Sequence, residues 1–260
     1  MADKIFLIVP FIFGAVVGSF LNVCIYRIPL GISIVRPSSM CPECKRRIPF
    51  YYNVPIISYA VLGGRCAFCG SPFSPQYPVV EGVTGFFAAA LFMRHGLTPG
   101  LFIHFAFVSS LVVITFIDLR HRIIPDVISL PGIVAGFGAS FFLTPPGVMD
   151  SAIGAVLGGA VLLVITAAYY LLTGTEGMGG GDIKLLAMIG AFEGWRGVLF
   201  TLLASSFLGA FVGVGAIAFF GKSSKYAIPF GPFLAAGALL YLFYGDAVID
   251  WYVMRAAAGF

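Results

Sequence analysis

Apolar residues along this chain come in long unbroken runs, not at helical or alternating spacing. Eight runs stand out, at about residues 5–26, 77–95, 99–118, 125–143, 150–173, 182–194, 197–220 and 227–245. About 20 helical residues rising about 1.5 Å each match the hydrocarbon thickness of a bilayer, so the pattern predicts membrane-spanning helices. The sixth run is short, which fits a tilted or incomplete crossing. The first run follows an early lysine, Lys4, as a signal peptide would. Its length, with no small-x-small cleavage site after it, makes it a retained helix. The longest polar segment, Arg27–Gln76, separates the first two runs. The expected architecture is an all-α polytopic membrane protein of about eight transmembrane helices. A first helix over 1–26 is followed by a small domain over 27–76 and one membrane domain over 77–260.

Composition agrees. Of 260 residues, 60% are hydrophobic and 10% charged, and mean hydropathy is +1.02. A soluble domain of this size is excluded. The net charge of +4 matters less than where the cations sit. Eleven Lys and Arg residues fall in, or within three residues of, the connections after the first, third, fifth and seventh runs, against four on the other side. The positive-inside rule then places the polar segment in the cytoplasm. Among the 33 glycines, GxxxG spacings occur at Gly14/Gly18, Gly132/Gly136, Gly154/Gly158 and Gly209/Gly213. They read either as close helix packing or as the chance yield of a glycine-rich chain.

The polar segment carries Cys41-x-x-Cys44 and Cys66-x-x-Cys69, with 21 residues between the pairs. Two-residue spacing lets both thiolates of a pair bind one tetrahedral ion, and two such pairs make a four-cysteine zinc site. About 50 residues without a long apolar stretch also need such a staple. Disulfides and free thiols are the alternatives, and a reducing cytoplasm argues against the former. Four thiolates leave no open coordination position, so the zinc would be structural.

Acids in apolar runs are costly and each asks for a reason. Asp118 closes the third run in "VITFIDLRHRIIPD", and Asp182 opens the sixth in "GGGDIK". On the expected topology both lie at the cytoplasmic membrane edge, where two returns of the chain allow them to meet. Two facing carboxylates, one ionised and one protonated, are the equipment of an aspartic protease. A helix start favours charge on Asp182, which makes it the expected ionised partner. The glycines before it, Gly177, Gly179, Gly180 and Gly181, permit positive φ or close backbone approach. The competing reading is a flexible connector with Asp182 as an N-cap. Asp126, after Pro125, reads as a helix start. Glu81, just inside the second run, reads as a site or an ion pair.

Four stretches taken together resemble the bifunctional type IV prepilin leader peptidases and N-methyltransferases: "GSFLNVCIYRIP" (18–29), the cysteine segment through "PVVEGVTG" (41–85), "FIDLRHRIIPD" (116–126) and "GMGGGDIKLLAMIGAFEGW" (177–195). The resemblance implies a GxGD aspartic protease of the bacterial inner membrane with Asp118 and Asp182 as its catalytic pair. The implied substrates are prepilins and pseudopilins, cut after a glycine at the cytoplasmic face. The new N-terminal amine would then be methylated with S-adenosylmethionine as donor. The four cysteines match the zinc-binding loop of the bifunctional members. One departure is Arg120 ahead of His121, where relatives often read Asp-His. No glycine-rich loop marks a methyl-donor site, and the candidates are Glu81, Asn53 with nearby Tyr77, and Asn22, each with local hydrogen bonding as the plainer reading. The expected partners are these substrates and the lipid bilayer, with no nucleic acid. The alternatives are a peptidase without methylation and a proton-coupled transporter; the latter predicts a repeat symmetry that the sequence does not display.

Overall fold

The structure, a computed structural model, describes residues 2–175, 179–220 and 228–257. Every regular element among them is helical: α1 (Ala2–Arg27), a short α2 (Ile57–Val61), α3 (Gln76–His95), α4 (Pro99–His121), α5 (Asp126–Ala139), α6 (Val148–Thr173), α7 (Gly180–Phe220) and α8 (Gly231–Ala257). Gly194, at φ 74° and ψ −178°, breaks α7 into two limbs. Counting those limbs separately, each of the eight expected apolar runs contains a helix among the described residues. Among the described residues four helical stretches are long and apolar enough to cross a membrane: Phe6–Leu30, Pro99–His121, Val148–Thr173 and Gly180–Phe219. The apolar stretches Asp126–Ala139 and Gly231–Gly245 are shorter.

The chain divides into two compact units, Met1–Ile117 and Asp118–Phe260. In the first, α1 lies against α3. A Cβ added at Gly14 would come within 2.6 Å of Ala88 Cβ, and one at Gly18 within 2.8 Å of Glu81 Cα. Only glycine lets these backbones approach so closely. The same unit holds the cysteine segment, which has no strand and forms just two isolated antiparallel bridges, Met40 to Arg47 and Arg65 to Pro72.

In the second unit α7 is the central element, packed by α5, α6 and α8. Side chains along its first limb, including Leu185, Leu186, Met188 and Ile189, are fully buried. Gly132 and Gly136 of α5 abut Met188, Ala191 and Phe192. Gly154 and Gly158 of α6 abut Gly190 and Leu186. Ser151 adds a hydrogen bond to the Ala191 carbonyl at 2.6 Å. Three of the four GxxxG spacings are therefore packing faces. At the fourth, Gly209 makes ordinary contact with Phe233 and Gly213 faces open space.

Candidate active site and metal centre

Asp118 and Asp182 line one cleft of about 460 Å³ in the second unit. Asp118 sits in the last turn of α4, 5% exposed, and Asp182 in the first turn of α7. The helix carrying Asp118 ends when Arg122, at φ 56°, donates its backbone N–H to the Asp118 carbonyl at 2.8 Å. The connection 122–125 then passes against α7. A Cβ at Gly181 would come within 2.9 Å of Ile124 Cβ. Close approach is thus what this glycine supplies. None of Gly179, Gly180 and Gly181 has positive φ, and Gly177 lies outside the described residues.

The surroundings of the two carboxylates differ, and not as the helix ends alone suggest. Gly231, the first residue of α8, donates its backbone N–H to Asp118 Oδ2 at 3.0 Å. A backbone donor aimed at a carboxylate oxygen stabilises its charged form. Among the described residues no hydrogen-bond donor reaches the Asp182 carboxylate. The backbone donor thus falls on Asp118 and not on Asp182, the partner that the helix start favours for ionisation. At the edge of the cleft Lys184 bonds both oxygens of Asp126, at 2.7 and 2.8 Å. Helix α5 does begin at Asp126, but its side chain caps nothing and serves this ion pair instead.

The four thiols of Cys41, Cys44, Cys66 and Cys69 lie within 4.8 Å of one another, with Cys41 and Cys69 Sγ 3.8 Å apart. A tetrahedral ion with bonds of about 2.3 Å to sulfur asks for sulfurs about 3.8 Å apart. The two pairs are built as copies. Lys45 N–H bonds Cys41 O at 3.0 Å, and Gly70 N–H bonds Cys66 O at 2.9 Å. Lys45 and Gly70 both take positive φ, 56° and 71°. Burial raises the Cys41 thiol, but hydrogen bonds from the Cys44 backbone and the Ser71 hydroxyl outweigh it and bring the pKa down to about 6. Against a lowering backbone bond from Arg46, burial and the neighbouring thiols push Cys44 up to about 11. Crowded thiols cannot all ionise alone, and a dication among them removes that conflict. The residues fit a metal ion.

The three methyl-donor candidates fall in the first unit. Asn22 and Asn53 line a cleft of about 280 Å³ together with Tyr77. Glu81 lines a smaller neighbouring cavity of about 80 Å³, which Asn53 and Tyr77 also border. Glu81 is 6% exposed, and its Oε2 accepts the Ile56 N–H at 2.7 Å. Its partners are a loop backbone N–H and the Ser19 hydroxyl, not a cation.

Two family models match the chain. The bacterial peptidase A24 N-terminal domain covers residues 12–95, and the type IV leader peptidase family covers 105–214, including both aspartates. A prepilin leader peptidase/N-methyltransferase of Aeromonas hydrophila is 36% identical over 269 residues, covering 94% of this chain and 92% of that protein. The chain belongs to the type IV leader peptidase family. A Pseudomonas aeruginosa protein of the same name is 34% identical, covering 96% of this chain and 94% of its own. One from Myxococcus xanthus is 41% identical over 210 residues, 81% of this chain and 63% of that protein. No solved structure matches.

In this type IV leader peptidase the sequence hid several residues that shape the sites. The Gly231 N–H is a backbone group with no signature. Ser71, whose Oγ lies 3.1 Å from Cys69 Sγ and 3.6 Å from Cys41 Sγ, is an unremarked serine two positions after a cysteine. The Lys184–Asp126 pair joins residues 58 apart. Only its position beside the GxGD stretch hinted at Lys184.

Proposed function

We propose that this chain is a bifunctional membrane enzyme that removes the leader from type IV prepilins and pseudopilins and then N-methylates the exposed residue. The observation that carries the peptidase half is the shared cleft of Asp118 and Asp182. In this reading Asp118, with the Gly231 N–H on Oδ2, is the ionised partner. It takes a proton from a water as that water's oxygen attacks the scissile carbonyl carbon. Asp182 is protonated and gives its proton to the carbonyl oxygen. On collapse Asp118 gives its proton to the leaving amine as the C–N bond breaks, and one hydroxyl of the gem-diol returns a proton to Asp182 as the carbonyl re-forms. The cleft opens at the end of α4 and the start of α7, so a substrate helix already in the bilayer can present its scissile bond there. In this reading this edge and the cysteine segment face the cytoplasm at the bacterial inner membrane, which the cation distribution supports.

Zinc is the ion of choice for the cysteine set, because four thiolates in a tetrahedron match its chemistry and exclude a catalytic water. Bound S-adenosylmethionine supplies an electrophilic methyl group, which the new N-terminal amine takes up with loss of a proton while S-adenosylhomocysteine departs. Support for this half comes from the relatives named for both activities.

The test is mass spectrometry of a prepilin incubated with the purified protein, with and without S-adenosylmethionine, beside Asp118→Asn and Asp182→Asn. Leader loss plus one methyl group, with both variants inactive though folded, is the expected result. Leader loss without methylation would reduce the protein to a peptidase. No cleavage of several substrates by folded protein would overturn the reading.

A further inference from the structure

We infer that the cleft between the end of α1, the cysteine segment and the start of α3 holds the methyl donor, S-adenosylmethionine. The inference rests on the methyltransferase reading above and adds the site. All the lining residues belong to the first compact unit.

At about 280 Å³ the cleft approaches the size of small-ligand pockets. Its lining has the parts that a nucleoside joined to an amino acid requires. Tyr26, Phe73 and Tyr77 supply aromatic surface, and Phe73 and Tyr77 meet edge to face with centroids 6.0 Å apart. A purine ring and a sulfonium cation both bind against such rings.

Asn22 supplies an acceptor. Its Nδ2 donates to the carbonyls of Gly18 at 3.3 Å and Tyr77 at 3.1 Å. Carbonyls only accept, so the amide cannot be turned round, and Oδ1 remains the acceptor. Asn22 is 3% exposed, and Oδ1 has no partner among the described residues. A buried acceptor without a donor is unfavourable. An amino group of the ligand, on the purine or on the amino-acid end, would be its first partner.

Charge narrows the ligand class. Two cations line the cleft, Arg27 and Lys45. Arg27 is committed, because its two terminal nitrogens hold the carbonyls of Ser33 at 2.9 Å and Pro37 at 2.8 Å. That leaves exposed Lys45 for an anion. One lysine suits the single carboxylate of S-adenosylmethionine. No carboxylate lines the cleft to compete for that lysine.

The test uses the full-length protein in detergent micelles without prepilin. S-adenosylmethionine binding is measured by calorimetry, and the tritiated donor is photocrosslinked and its peptide mapped. Tyr26→Ala and Lys45→Ala change exposed residues, and metal content and thermal unfolding check that they fold. The expected result is crosslinking within residues 19–77 and binding about tenfold weaker in each folded variant. Wild-type protein that methylates prepilin but crosslinks elsewhere, or folded variants that bind as wild type does, would overturn the site and leave the activity standing. Wild-type protein that neither binds the donor nor methylates would overturn both.

Discussion

Gly231 donates its backbone N–H to Oδ2 of Asp118 across 3.0 Å, joining the first residue of α8 to the last turn of α4. The bond fixes one carboxylate and favours its charge, which a water-activating aspartate needs. A Cβ at Gly231 would sit 2.6 Å from Asp118 Oδ2 and 3.2 Å from its Cγ. Gly231→Ala must therefore move the carboxylate by a few tenths of an ångström or more. Displacements on the ångström scale cost about 100-fold in rate, and we expect leader cleavage to slow on that order while the protein still folds. A cleavage rate within twofold of wild type would remove this bond from the mechanism.

The Ser71 hydroxyl, between Cys69 and Cys41, tests the metal centre without replacing a ligand. Outer-shell hydrogen bonds are worth about 10–100-fold in metal affinity. Ser71→Ala should weaken zinc binding by about tenfold in competition with a chromophoric chelator. Cys69→Ser should abolish stoichiometric zinc in elemental analysis. Full zinc content in Cys69→Ser would show that the four thiols do not share one ion.

Glu81 is read as the anchor of the loop that precedes α2. Ile56 has a φ of 62°, a conformation that costs about 1–3 kcal/mol for a non-glycine residue and needs holding. Its N–H on Glu81 Oε2 supplies the hold. Glu81→Gln keeps an acceptor oxygen, whereas Glu81→Ala does not. Hydrogen exchange at residues 54–60 should quicken in Glu81→Ala and stay near wild type in Glu81→Gln. Equal exchange in the two variants would separate Glu81 from the loop.

The glycine spacings make opposite predictions at two positions. A Cβ at Gly154 would overlap the Gly190 backbone across the α6–α7 contact, while one at Gly213 meets nothing within 4 Å. Overpacking costs about 1–3 kcal/mol, and replacing an unconstrained helical glycine gains about 0.5–1 kcal/mol. Gly154→Ala should lower the thermal midpoint in detergent, and Gly213→Ala should leave it unchanged or raise it. Similar midpoints for the two would mean that the α6–α7 contact is looser than described.

Much of this protein was legible in one dimension. The apolar runs marked every long helix, because a segment that must satisfy its own backbone in lipid has to be both apolar and helical. The kink at Gly194 separates two runs already distinct at 182–194 and 197–220. Cys41, Cys44, Cys66 and Cys69 announced a cluster that could hold a metal ion, because ligand spacing within each pair is a local property of the backbone. Asp118 and Asp182 stood out because an acid in an apolar run needs a reason to be there.

What the sequence by itself could not determine were relationships between distant segments. Which aspartate receives a backbone donor depended on where α8 begins, 113 residues after Asp118. Whether Glu81 meets a cation or an amide depended on the path of a loop 25 residues upstream. Asn22, Asn53 and Tyr77 were separate polar residues until folding brought them to one cleft. Backbone donors carry no sequence signature, and hydrogen-bond partners are set by packing. Those contacts were decided only by the tertiary structure.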